Sequence, residues 1–230
     1  MRKILTIVSV LSLISFNANA LDVSEFSVTA GVAHNSAVYG ASAKETNRNE
    51  SNVIKSTEKE SGAFAESHQS MFLELNAGEF ISLGFEHTPD SITTPEDTRI
   101  TNTNATTKVK VDFNDLDVVY LKLNIPGGIY LKAGVVETDL DIKETMASGS
   151  TYNNVSTEGT LMGVGYSRAL GDSPFSLRVE GSYMELDDVS TSNGVSATGG
   201  SVANGGRNQI DASNLEGLNG KIALTFTLGK

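Results

Sequence analysis

The chain has 230 residues, no cysteine, no tryptophan and a formal charge of −11. Such acidity argues against nucleic acid as a partner, and the missing cysteines exclude a disulfide framework. A mean hydropathy of −0.13 excludes a bundle of membrane-spanning helices, but it is compatible with a membrane β-barrel, whose apolar residues are diluted by alternation.

The first element is "MRKILTIVSVLSLISFNANA". Arg2 and Lys3 precede an apolar stretch over residues 4–16, which closes on Ala18-Asn19-Ala20, a small-x-small cleavage pattern. The stretch is too short to span a bilayer. Residues 1–20 are therefore expected to be a signal peptide and 21–230 one barrel domain, with Leu21 first in the mature chain. Losing Arg2 and Lys3 takes the charge from −11 to −13.

Eight runs with a period of two follow, the signature of strands with one apolar and one polar face. They are "EFSVTAGVA", "SMFLELNAG", "EFISLGFEH", "DLDVVYLKLNI", "GIYLKAGVVE", "TLMGVGYSRA", "PFSLRVEGSYME" and "GLNGKIALTFTLGK". The apolar face carries Leu73, Leu83, Leu121, Leu131, Val164, Leu177, Ile222, Leu224 and Phe226, among others. After the second, fourth and sixth runs the connections are tight: Asn76-Ala77-Gly78-Glu79, Pro126-Gly127-Gly128 and Gly171-Asp172-Ser173-Pro174. After the other runs they are long and polar, and loops are expected at 41–64, 88–107, 144–158 and 187–213. Asp117 falls on the apolar face of Val119 and Leu121, which calls for a bulge or a strand rising clear of the membrane.

Short turns at one end and long polar loops at the other resemble the small eight-stranded outer-membrane barrels of Gram-negative bacteria: the OmpA transmembrane domain, OmpX/Ail and the opacity-type surface antigens. The resemblance covers the whole mature chain as architecture. It implies an all-β, eight-stranded antiparallel up-and-down transmembrane β-barrel in the cell outer membrane. It implies a monomer without cofactor, surrounded by outer-membrane lipid and lipopolysaccharide. During biogenesis its partners would be periplasmic chaperones and the barrel-assembly machinery. That family usually ends on an aromatic residue, part of the assembly signal. This chain ends in Gly229-Lys230, and the alternation survives in Leu224, Phe226 and Leu228.

Alternation alone does not say whether the apolar face meets lipid or a core, since a lipocalin points it inward. The opposite face decides. It carries Gly31, Gly84, Gly163, Gly165, Ser82, Ser176, Ser182 and Thr225, small residues suited to a narrow bore. Its charges are mixed: Glu74, Glu86, Lys122, Lys132, Arg178, Glu180 and Lys221. Six of these, Glu74, Lys122, Lys132, Arg178, Glu180 and Lys221, are assigned to a lumen network near the turn end. Four positive and two negative groups need a further balance from Tyr120, Tyr130, water or another carboxylate. Arg178 and Glu180 are expected to pair.

Two His-x-Ser spacings, His34-Asn35-Ser36 and His68-Gln69-Ser70, resemble the pair used by a lipid-A deacylase barrel, with Glu66 and Glu74 on the face of His68. With serine this common, rim-facing polar residues explain them better, and no catalytic, metal or cofactor residue is assigned. The expected role is structural and interactive, through four external loops toward an unidentified extracellular ligand. The alternatives are a small passive diffusion channel, a lipid-modifying enzyme and a soluble ligand-binding barrel.

Overall fold

The computed structural model describes residues 26–48, 53–100, 106–145, 151–193 and 208–229. The expected signal peptide lies outside them. Eleven strands follow one another: β1 (Phe26–Arg48), β2 (Ile54–Ala77), β3 (Ile81–Thr88), β4 (Ile92–Thr93), β5 (Asp97–Ile100), β6 (Thr106–Asn124), β7 (Ile129–Thr145), β8 (Val155–Ala169), β9 (Phe175–Leu186), β10 (Val189–Ser192) and β11 (Gln209–Leu228). Eight of them pair antiparallel in the order β1-β2-β3-β6-β7-β8-β9-β11, and β1 pairs β11 to close the ring. The eight alternating runs seed these eight strands. β4 and β5 add to β6, and β10 adds to β11.

Closure answers a physical problem, because an open sheet leaves edge amides that lipid cannot satisfy. The seam runs from Val28↔Leu228 to Thr46↔Gln209. The tight turns hold Gly78, Gly127, Gly128 and Gly171 at positive φ, between 62° and 93°, a region that L side chains rarely adopt.

The strands outrun the alternation at the loop end. β1 and β2 are 23 and 24 residues long, so most of the expected loop at 41–64 is a hairpin whose pairs run from Ala41↔Gly62 to Asn47↔Ser56. The expected loop at 88–107 contains β4 and β5, that at 144–158 takes in the start of β8, and that at 187–213 contains β10 and the start of β11. These connections are in good part ladder. Above the membrane both faces of a strand meet water, so the period of two fades while the backbone pairing continues. β6 carries the irregularity that Asp117 called for: the register with β7 jumps between Asn114 and Asp117, and Asp115 sits at a φ of 49°.

Candidate functional site: a filled lumen inside an apolar belt

The usual arrangement of a soluble protein is inverted. Leu73, Leu121, Leu131, Val164, Leu177, Ile222 and Leu224 each leave 44–57% of their surface open on the outside. Leu83 and Phe226 stand on the same face, half-buried by neighbours. A soluble ligand-binding barrel would bury these residues, and here they form an external belt.

The charges are inside. Glu74, Lys122, Lys132, Arg178, Glu180 and Lys221 are all buried, none exposing more than 9%. They form two linked groups. In the first, Glu74 receives both arms of the Arg178 guanidinium at 2.7 and 2.8 Å, Lys122 at 2.6 Å and the Tyr120 hydroxyl at 3.0 Å. Arg178 therefore pairs with Glu74 on the far side of the bore, not with Glu180, two positions along its own strand.

The second group turns on Glu86, which the six-residue assignment left out. Glu86 is buried and receives Lys132 at 2.8 Å, Lys221 at 2.7 Å and the Ser70 hydroxyl at 2.7 Å. Both lysines also reach Glu180 at 3.3 Å, and Tyr130 donates to Glu180 at 2.9 Å. Glu86 was legible from its phase with Ser82 and Gly84 on one strand. With it the network holds four cations and three carboxylates, and a buried charge needs such a partner. Rings help: the Lys132 ammonium lies 4.1 Å from the Tyr120 ring centre and Arg178 5.4 Å from that of Phe72.

The glycines make room for these rings. A Cβ on Gly84 would fall 2.2 Å from the Tyr120 ring, one on Gly165 2.2 Å from the Tyr130 ring and one on Gly31 2.3 Å from the Phe72 ring. The rings lie flat across the bore over bare backbone. A gap of only about 10 Å³ remains among them. On the turn side a vestibule of about 420 Å³ ends at Lys122 and Arg178.

Above the charges the filling turns apolar. Ile92, Leu116, Val118, Val136, Leu161, Met184, Leu186 and Leu215 form one cluster, with Tyr39, Phe64 and Phe113 against it. Ile92 comes from β4, so the β3–β6 connection folds into the mouth as a cap. A chamber of about 40 Å³ lies between the cap and the charges, lined by Asn35, His68, Glu86, Ser182, Asn219 and Lys221 below and by Tyr39 and Met184 above.

Neither His-x-Ser pair is joined by a hydrogen bond among the described contacts. Ser70 donates to Glu86 and accepts from Asn35 at 2.9 Å, enclosed in the lumen beside His68. His34 and Ser36 stand outside, where His34 meets Gln69 at 2.9 Å and Ser36 meets Ser67 at 3.4 Å.

An apolar belt around a charged, filled bore in a closed ring of eight antiparallel strands defines a transmembrane β-barrel. The solved structures similar to this chain have that class of fold. The outer membrane protein OprG from Pseudomonas aeruginosa matches with a TM-score of 0.57 at 9% identity, over 86% of this chain and 95% of that one. Two others match more loosely: the outer membrane protease OmpT from Escherichia coli (TM-score 0.46, 10% identity, 91% and 99% covered) and Ail of Yersinia pestis in complex with a heparin analogue (0.39, 8%, 85% and 99%). No family model and no curated protein matches the sequence. The chain is an outer-membrane β-barrel by fold.

Proposed function

We propose that the protein is a non-conducting, non-catalytic barrel of the outer membrane. In this reading it stiffens the membrane and presents its loop end to the cell exterior for contact with other molecules. The observation that carries this reading is the doubly filled bore, ion-paired below and apolar above. Seven buried charged groups are tied across the lumen with a gap of only about 10 Å³ among them, and an eight-stranded barrel has an interior just wide enough for side chains; both support the reading. The tall β1–β2 hairpin and the upper β6–β7 ladder supply paired, polar surface beyond the belt. These paired segments, rather than loose loops, are then the contact surface.

Planar-bilayer recording tests the reading. The expected result is no stable conductance, with at most small flickering events. A large, steady open channel in the unmutated protein would overturn it in favour of passive diffusion.

A further inference from the structure

The lipid-facing surface has a concave place. Ladder pairs join Phe175, Phe226, Ala30, Leu73 and Phe85 in one row across five strands, and Leu224, Val32, Met71 and His87 in the next. Ala30 is the low point between the rings of Phe226 and Phe85, and Gly31 behind it adds no side chain. The result is an apolar groove of about 610 Å³, within the range of about 300–1,000 Å³ of small-molecule sites. Strand tilt makes the rows climb, from Phe175 beside a tight turn to His87 near the loop end of β3.

The climbing end is polar. His87 Nδ1 meets Asp117 Oδ1 at 2.7 Å. Gln69 Nε2 lies 2.9 Å from His34 Nδ1, so a neutral ring accepting that amide hydrogen carries its own proton on Nε2. Ser36 and Ser67 continue the strip upward. Polar side chains facing lipid are costly and point to function.

The charge around the barrel is uneven at this height. On the outside of β6, β7, β8, β9 and β11 stand Asp117, Glu137, Glu158, Glu185 and Glu216, several directly paired across strands. β1 has no acidic residue from Phe26 to Ala43, and Glu66 and Glu74 of β2 share the inward register of the buried His68 and Ser70. The acidic collar therefore opens on the β1 and β2 side of the groove, where an anionic head would meet histidine, amide and hydroxyl groups, with Asp117 at its border bound to His87.

We propose that the groove and its polar strip bind one lipid A molecule of the outer leaflet. An acyl chain lies against Ala30, and the phosphorylated sugar head meets His34, Gln69 and His87. The direction of the lipid rests on the outward loop end proposed above. Its polarity matches the site from end to end: apolar low in the leaflet, hydrogen-bonding at the head, where the one carboxylate, Asp117, is held by His87.

Native mass spectrometry of the refolded barrel in detergent micelles, titrated with lipid A, tests this. One retained lipid A per barrel is expected. Ala30→Phe fills the groove and His34→Ala/His87→Ala strips the head contacts; each should weaken retention about tenfold. All the changed side chains face outward, and the heat-dependent gel shift of a folded barrel checks both variants. Phosphatidylglycerol, anionic but without sugar, should be retained about tenfold less than lipid A. Unchanged retention in the folded variants, or equal retention of phosphatidylglycerol, overturns the site. Retention in micelles reports neither conductance nor orientation, so its failure is distinct from failure of the non-conducting reading.

Discussion

Single residues in this barrel are constrained by what crosses the bore. Glu74 exposes 1% of its surface and takes hydrogen bonds from Arg178, Lys122 and Tyr120. Replacing it with alanine would leave two buried cations without their carboxylate. Glu74→Ala is therefore expected to cost about 3–5 kcal/mol, the range for breaking a buried pair, read from urea unfolding in lipid vesicles. A cost below that of a surface glutamate such as Glu58 would contradict the buried network. Gly165 poses a steric version of the same constraint. Its missing Cβ is the floor under the Tyr130 ring, so Gly165→Ala should destabilise by about 1–3 kcal/mol through overpacking. Gly62→Ala, where a Cβ meets nothing within 4 Å, serves as the control. Equal stability of the two variants would show that Tyr130 does not lie across Gly165.

At the scale of one strand, the two faces of β7 are under opposite demands. Ile129 and Leu131 face outward, while Tyr130 and Lys132 are buried inward. Arg at Leu131 should cost roughly 2–4 kcal/mol if it sits near the bilayer midplane. The same residue placed at Ser192, in β10 at the loop end, should be tolerated. Equal tolerance at both positions, in the same vesicle unfolding assay, would argue against a membrane-spanning belt. β2 shows how an element can serve two settings. Its residues 71–77 lie between β1 and β3, while residues 54–70 pair with β1 alone. That open edge carries Lys55, Glu58, Lys59, Glu60 and Glu66, and charge is a common protection against edge-to-edge pairing.

For the whole molecule, orientation follows from where the ladder is tall. Three tight turns, the start of β1 and the end of β11 lie at one end of the barrel, and the tall ladders lie at the other. An epitope tag inserted at Gly127 should react only after the outer membrane is permeabilised. The same tag inserted within the segment 194–207 should react on intact cells. Reversed labelling would invert the barrel and place the polar strip of the groove in the inner leaflet.

The sequence by itself determined the number of membrane strands, the face that meets lipid and the end that holds the tight turns. A membrane β-strand must alternate, and a turn must supply glycine, so both requirements are written locally. The bulge near Asp117 was legible for the same reason: a charge on the apolar face breaks the alternation. Most members of the lumen network could be named from phase alone. Their partners could not, because Arg178 meets Glu74 across the bore, 104 positions away in the chain, and shear brings together residues that no spacing links. Tertiary structure alone decided four things: the meeting of Lys132 and Lys221 at Glu86, the inward fold of Ile92, the height of the β1–β2 hairpin and the groove at Ala30. Each depends on which strands stand side by side, and a pattern with a period of two carries no record of its neighbours.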